Sequence, residues 1–154
     1  MPVRRDPSDP LVRVARSLTD AQHEAAHVVV GVALGLRLRR VWLGVEKIGR
    51  SIYLGCSEWE PTPWPREADL IMSAAGVAWE RHCGDVAHAH GDLACLRRAG
   101  VRGNARIRVL ETAAWALLES RPAIHTRVTR ALLDRDLTGK DVARIARGER
   151  LDPE

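Results

Sequence analysis

A mainly helical fold with a small antiparallel β-hairpin, an α+β class, follows from three features of the 154-residue sequence. An apolar segment of helical length fills residues 19–35, two runs rich in β-branched and aromatic residues flank a turn-prone "EKIGR", and from residue 67 the apolar spacing is helical. With 45% hydrophobic residues the chain can bury one core. Residues 19–150 therefore read as a single domain, residues 1–18 as a flexible N-terminal arm and residues 151–154 as a C-terminal tail.

Each element has its own local reason. The arm carries three prolines and several arginines in its first 17 residues and has little apolar periodicity to bury. Thr19, with Gln22 three residues on, forms a capping box, Asp20 suits the positive end of the helix dipole, and Gly35 suits a stop. A helix is expected from about Asp20 to about Leu34. Two strands are expected at Arg40–Val45 and Ser51–Trp59, and a free edge on the second could take an extended peptide as an added strand. "EPTPWPRE" holds three prolines in five residues, which only a loop accommodates, and Trp64 within it reads as a clamp on the domain surface in preference to part of a substrate rim.

In "EADLIMSAAGVAWERHCG" the residues Leu70, Ala74, Val77 and Ala78 line one helical face. A further helix begins near Asp92. The remainder divides into two or three helices, broken near Pro122 and near "LTGKD", where Thr138 can cap the last. Trp79 and Trp115 read as core in a chain without phenylalanine, and Cys83 and Cys95 as small buried residues on helices.

Charge and cysteine usage narrow the setting. The chain has 24 Lys+Arg against 20 Asp+Glu, a net charge of +4, and its only lysines are Lys47 and Lys140. So many interspersed carboxylates describe a solvated surface better than a nucleic-acid binder. Cys56, Cys83 and Cys95 form no C-x-x-C pair, which fits a reducing compartment, and a cytoplasmic location is expected. The apolar run "VVVGVALGL" is about half the roughly 20 residues that cross a bilayer, and no signal peptide is evident.

The chemistry sits in "HEAAH". His23 and His27, four apart on a helix, share a face and can place two imidazole nitrogens on one Zn²⁺. Glu24, turned away by one residue, is placed to take a proton from a water activated by that metal. This is the division of labour in H-E-x-x-H metallopeptidases, and a shuffled chain of this composition would show the motif only roughly 0.015 times. The motif therefore reads as a site. A catalytic zinc needs a third protein ligand, and Asp85, His88, His90 and Asp92 are the candidates; spacing does not choose among them.

The order of elements resembles the peptidase domain of the FtsH-type ATP-dependent zinc metalloproteases, over about residues 19–149. "HEAAH" looks like the family's H-E-A-G-H, "RRVWLGVEKIGRSIYLG" like its strand pair, "SAAGVAWERHCG" like its G-G-R-x-A-E-E helix, and "ALLDRDLTGKDVARI" like its L-L-x-x-E-T-L-x-G-x-E-I ending. In the second of these helices Ala75, Gly76, Ala78 and Glu80 occupy corresponding places. The resemblance implies a zinc metalloendopeptidase with Glu24 as the base and Asp92, followed by the matching Leu93, as third ligand. The chain departs from the pattern at Ala26, where the family has glycine, and at Ala87, His88 and Ala89, which replace its T-T-G stretch. No G-x-x-x-x-G-K-[ST] is present, so the expected partners are a flexible polypeptide substrate and possibly a separate ATPase.

Two other function classes are open at this stage. One is a non-catalytic metal-binding interaction module that keeps the fold, and the other is a nucleic-acid binder using Arg97, Arg98, Arg102, Arg106 and Arg108.

Overall fold

A computed structural model of the chain describes residues 18–48, 51–61, 63–83 and 90–153. In chain order these form α1 (Leu18–Ala33), β1 (Leu38–Ile48), β2 (Ser51–Trp59), α2 (Arg66–Ser73), α3 (Ala75–Cys83), α4 (His90–Arg98), α5 (Asn104–Glu119), α6 (Pro122–Asp134), β3 (Leu137–Thr138) and α7 (Gly139–Ala146). The fold is α+β, as expected: mostly helical, with a three-stranded antiparallel sheet in the order β2-β1-β3. Residues 1–17 of the expected arm lie outside the described residues.

α1 is the central element. Its described part begins at Leu18, one residue before Thr19, where the cap was expected. Its end is the expected one. Gly35 takes a left-handed φ of 84°, the Leu36 N–H returns to Gly31 O at 2.9 Å and the Gly35 N–H to Val32 O at 3.0 Å, a Schellman closure. From Asp20 to Gly31 every residue but Gln22 is buried, because α1 is covered on two sides. Ala21, Ala25 and Val28 pack with Leu38, Val41 and Leu43 of β1 and with Val128 and Leu132 of α6. Ala26, Val29 and Val30 pack against Met72, Ala75, Ala78 and Ala114 from α2, α3 and α5.

The hairpin matches expectation in type, and β2 in extent, while β1 runs longer at both ends. Between Leu43 and Glu46, β1 uses one residue more than β2, with Gly44 at φ 138° inside the irregularity. β3 was not legible beforehand: two residues pair Arg40 with Thr138 and Val41 with Leu137, which leaves β2 as an edge strand among the described residues. Thr138 also caps α7 as expected, in a reciprocal capping box with Asp141.

The helical run expected from Glu67 is two helices that meet at Ala74, whose N–H bonds to the carbonyls of Leu70 and Ile71. Leu70, Ala74, Val77 and Ala78 are all buried, as the spacing required. Trp64 is the clamp expected, half-buried against the core with its Nε1–H donated to Glu60 O at 3.0 Å. Trp79 and Trp115 are half-buried at the core edge, where His125 stacks on Trp79 and His82 on Trp115, with ring centroids 3.9 and 3.6 Å apart. Cys83 and Cys95 are exposed, contrary to expectation. Cys83 ends α3, and on α4 the neighbouring Leu96 takes the buried direction. No described helix is long and apolar enough to cross a membrane.

His125 ties stability to pH. It is buried, its Nε2–H is donated to Gln22 O at 2.9 Å, and burial holds its pKa below the ordinary 6.5 despite that bond. The unfolded chain then binds the extra proton first, so this contribution is fully present above pH 6.5 and is lost as pH falls through the folded pKa. We expect the midpoint of thermal unfolding to fall more steeply below pH 6.5 in wild type than in His125→Gln; parallel curves would contradict the assignment.

Candidate metal centre

The second side of α1 presents the histidines. His23, Glu24 and His27 are 7%, 9% and 6% exposed, so their polar atoms must find partners within the protein. One turn of helix brings the two Nε2 atoms to 3.2 Å from each other. Asp92 arrives from the first turn of α4, a position the helix dipole favours for a carboxylate. α4 is held there by Leu96, fully buried with Leu70, Val101, Ile107 and Leu110. Asp92 Oδ2 stands 3.1 Å from His23 Nε2 and 3.2 Å from His27 Nε2.

The other ring nitrogens define the chemistry of this triangle. His27 Nδ1 lies 2.8 Å from Met72 O, and a carbonyl only accepts, so Nδ1 carries the proton and Nε2 of the neutral ring is a lone pair. His23 Nδ1 likewise donates to Glu80 Oε1 at 3.2 Å. With both rings neutral, three electron-rich atoms thus converge, and the buried Asp92 Oδ2 receives no hydrogen bond from either Nε2. A tetrahedral ion with bonds of about 2.0–2.1 Å separates its ligand atoms by roughly 3.3 Å, close to the spacing found. His23, His27 and Asp92 can therefore hold a metal ion as three ligands.

Protons compete for the same lone pairs. Burial opposes a charge on His23, but hydrogen bonds to Asp92 and Glu80 outweigh it and raise the pKa to about 11. His27 is raised in the same way, against burial, by the charge of Asp92. Burial opposes the Asp92 charge too, yet the two histidines hold its carboxyl well below the ordinary range. The site is thus built to stabilise positive charge. For Glu24 burial dominates and pushes the carboxyl above its ordinary 4.5, against the pull of His27 and His23, which makes it a stronger base.

Two glycines shape the space. A methyl group on Gly76 would lie 2.5 Å from both Asp92 Oδ2 and His23 Nε2, so α3 approaches the donors as closely as only glycine allows. A methyl group on Gly55 would lie 2.9 Å from Glu24 Cγ, which places the β2 backbone over the base.

Of the sequence candidates, the structure brings together His23, His27 and Asp92, with Glu24 beside them. Asp85 and His88 lie outside the described residues, and His90 is described as the first backbone residue of α4. Glu80, the Met72 carbonyl and Gly76 had no assigned role in the sequence. Gly76 and Glu80 are four apart on one face of α3, and a glutamate among the buried Val77 and Ala78 was the signal that a partner existed. Of the arginines singled out earlier, Arg106 is paired with Glu67 at 2.6 Å.

No protein-family model matches the chain, and no curated protein matches it either.

Proposed function

We propose that the chain is a zinc-dependent metallopeptidase that hydrolyses peptide bonds in flexible polypeptide segments. What supports this reading is one observation: three buried donor atoms within 3.2 Å of one another, with a buried carboxylate next to the first of them in the helix. His23, His27 and Asp92 would hold the zinc, while Glu80 and the Met72 carbonyl orient the two rings. Bound zinc supplies Lewis-acid polarisation of the scissile carbonyl and lowers the pKa of the attacking water.

Glu24 would take a proton from the attacking water and return it to the leaving amine, and burial, which raises its pKa above the ordinary carboxylate value, makes it the stronger base. β2 passes over Glu24 and is an edge strand among the described residues, so an extended substrate pairing with it would run beside the base. Such pairing selects unfolded segments, and folded substrates would need a separate ATPase to open them. The cysteine pattern, with no C-x-x-C pair among Cys56, Cys83 and Cys95, is in keeping with a cytoplasmic setting as part of this proposal.

The test is elemental analysis alongside turnover. We expect about one zinc per wild-type chain, its loss in Asp92→Ala, and cleavage by wild type within a broad peptide library. Protein without stoichiometric metal contradicts the centre. Full zinc occupancy without turnover assigns the chain to a metal-binding interaction module instead.

A further inference from the structure

The far end of the chain builds a second concavity. α7 closes on Gly148 at φ 77°, with the Gly148 N–H returned to Ile145 O and the Glu149 N–H to Arg144 O, both at 3.0 Å. The following residues run back alongside α6. Arg135 Nη1 donates to Asp152 O at 2.7 Å, Arg144 Nη2 to Arg150 O at 2.7 Å, and Arg144 Nη1 to Asp152 Oδ2 at 2.9 Å, so the returning segment is clamped. Leu151 packs against the core. Between this segment and α6 lies a cavity of about 680 Å³, within the range of small-molecule sites. None of its wall belongs to α1 or α4, the elements that carry the donor triangle, or to α3, which packs beside it.

The charges of the wall do not balance. Arg127 and Arg130, three apart on α6, share a face and line one side; Arg150 lines the other. Among the described residues none of the three is in an ion pair. The wall carboxylates Glu149 and Asp152 are engaged by Arg144 and Arg147, which stand outside the wall. Arg135, also in the wall, is paired with Asp141, and Asp134 is the remaining wall carboxylate beside three guanidinium groups without an ion pair among the described residues. Arginine forks pair two oxygens of a carboxylate or phosphate at once, and Ala131, Ile145 and Leu151 supply an apolar floor.

We propose that this cavity binds a small organic oxyanion, its phosphate or carboxylate held by Arg127, Arg130 and Arg150 and its apolar body set against Ala131, Ile145 and Leu151. The site is independent of the metal centre and of the peptidase reading.

Titration of the full chain with phenyl phosphate, benzoate and inorganic phosphate, followed by backbone amide NMR, tests it. Saturable shifts confined to residues 127–135 and 145–153 are expected with at least one organic anion, and the tighter of the two identifies the headgroup. Inorganic phosphate should bind more weakly. In the double variant Arg127→Gln, Arg130→Gln, affinity should fall at least about tenfold, as expected for loss of hydrogen bonds to a charged group, with the rest of the spectrum unchanged. No saturable shift with either organic anion, undiminished affinity in the double variant, or shifts centred on residues 23–27 and 76–92 would overturn the proposal.

Discussion

Gly76→Ala should empty the metal centre while leaving the protein folded. Alanine is favoured over glycine inside a helix by about 1 kcal/mol, and Gly76 lies in α3, so local propensity predicts a gain in stability. Sterics predict the opposite for the site. The added methyl would stand 2.5 Å from Asp92 Oδ2 and from His23 Nε2, well inside van der Waals contact, and two of three ligand atoms would have to move. Loss of a supporting contact at a metal site typically costs 10–100-fold in affinity, and direct displacement of ligands should cost at least about 100-fold. Gly91→Ala is the control, since nothing lies within 4 Å of a methyl there. Zinc titration monitored by competition with a chelator should separate the two variants, and equal affinities would mean that the donors are not used as a ligand set.

Glu24→Gln should remove turnover and keep the metal. The substitution preserves shape and hydrogen-bonding capacity but takes away the basic oxygen, and none of the three ligands is touched. General-base catalysis contributes about 10²–10⁴-fold, so kcat for peptide hydrolysis should fall by that order with zinc content unchanged. Cleavage at the wild-type rate would exclude Glu24 as the base. Loss of zinc along with activity would instead point to a role for Glu24 in holding the ligand helix, whose buried face it shares.

Much of this protein was legible from local pattern. The period of four that sets His23 beside His27 is a property of any helix, and β2 ended where Trp59 and the prolines that follow required. Gly35 and Thr138 did what their backbone chemistry allows at helix ends. Features that failed to show were those with little local signal. A two-residue strand has no periodicity, the break at Ala74 has no glycine or proline to announce it, and Cys95 differs from its neighbour Leu96 only in which way the helix turns it.

The site divides along the same line. Sequence alone determined that one turn of helix carries two imidazoles and a carboxylate, because i, i+4 geometry needs nothing beyond the backbone. The resemblance had pointed to Asp92, 65 positions beyond His27, but only the tertiary structure sets its carboxylate beside the two rings, since packing of Leu96 under α2 and α5 is what swings its helix onto α1. The same packing selected Glu80 and the Met72 carbonyl as ring partners and left room at Gly76, because a buried donor must be met by whatever the neighbouring helices bring within reach.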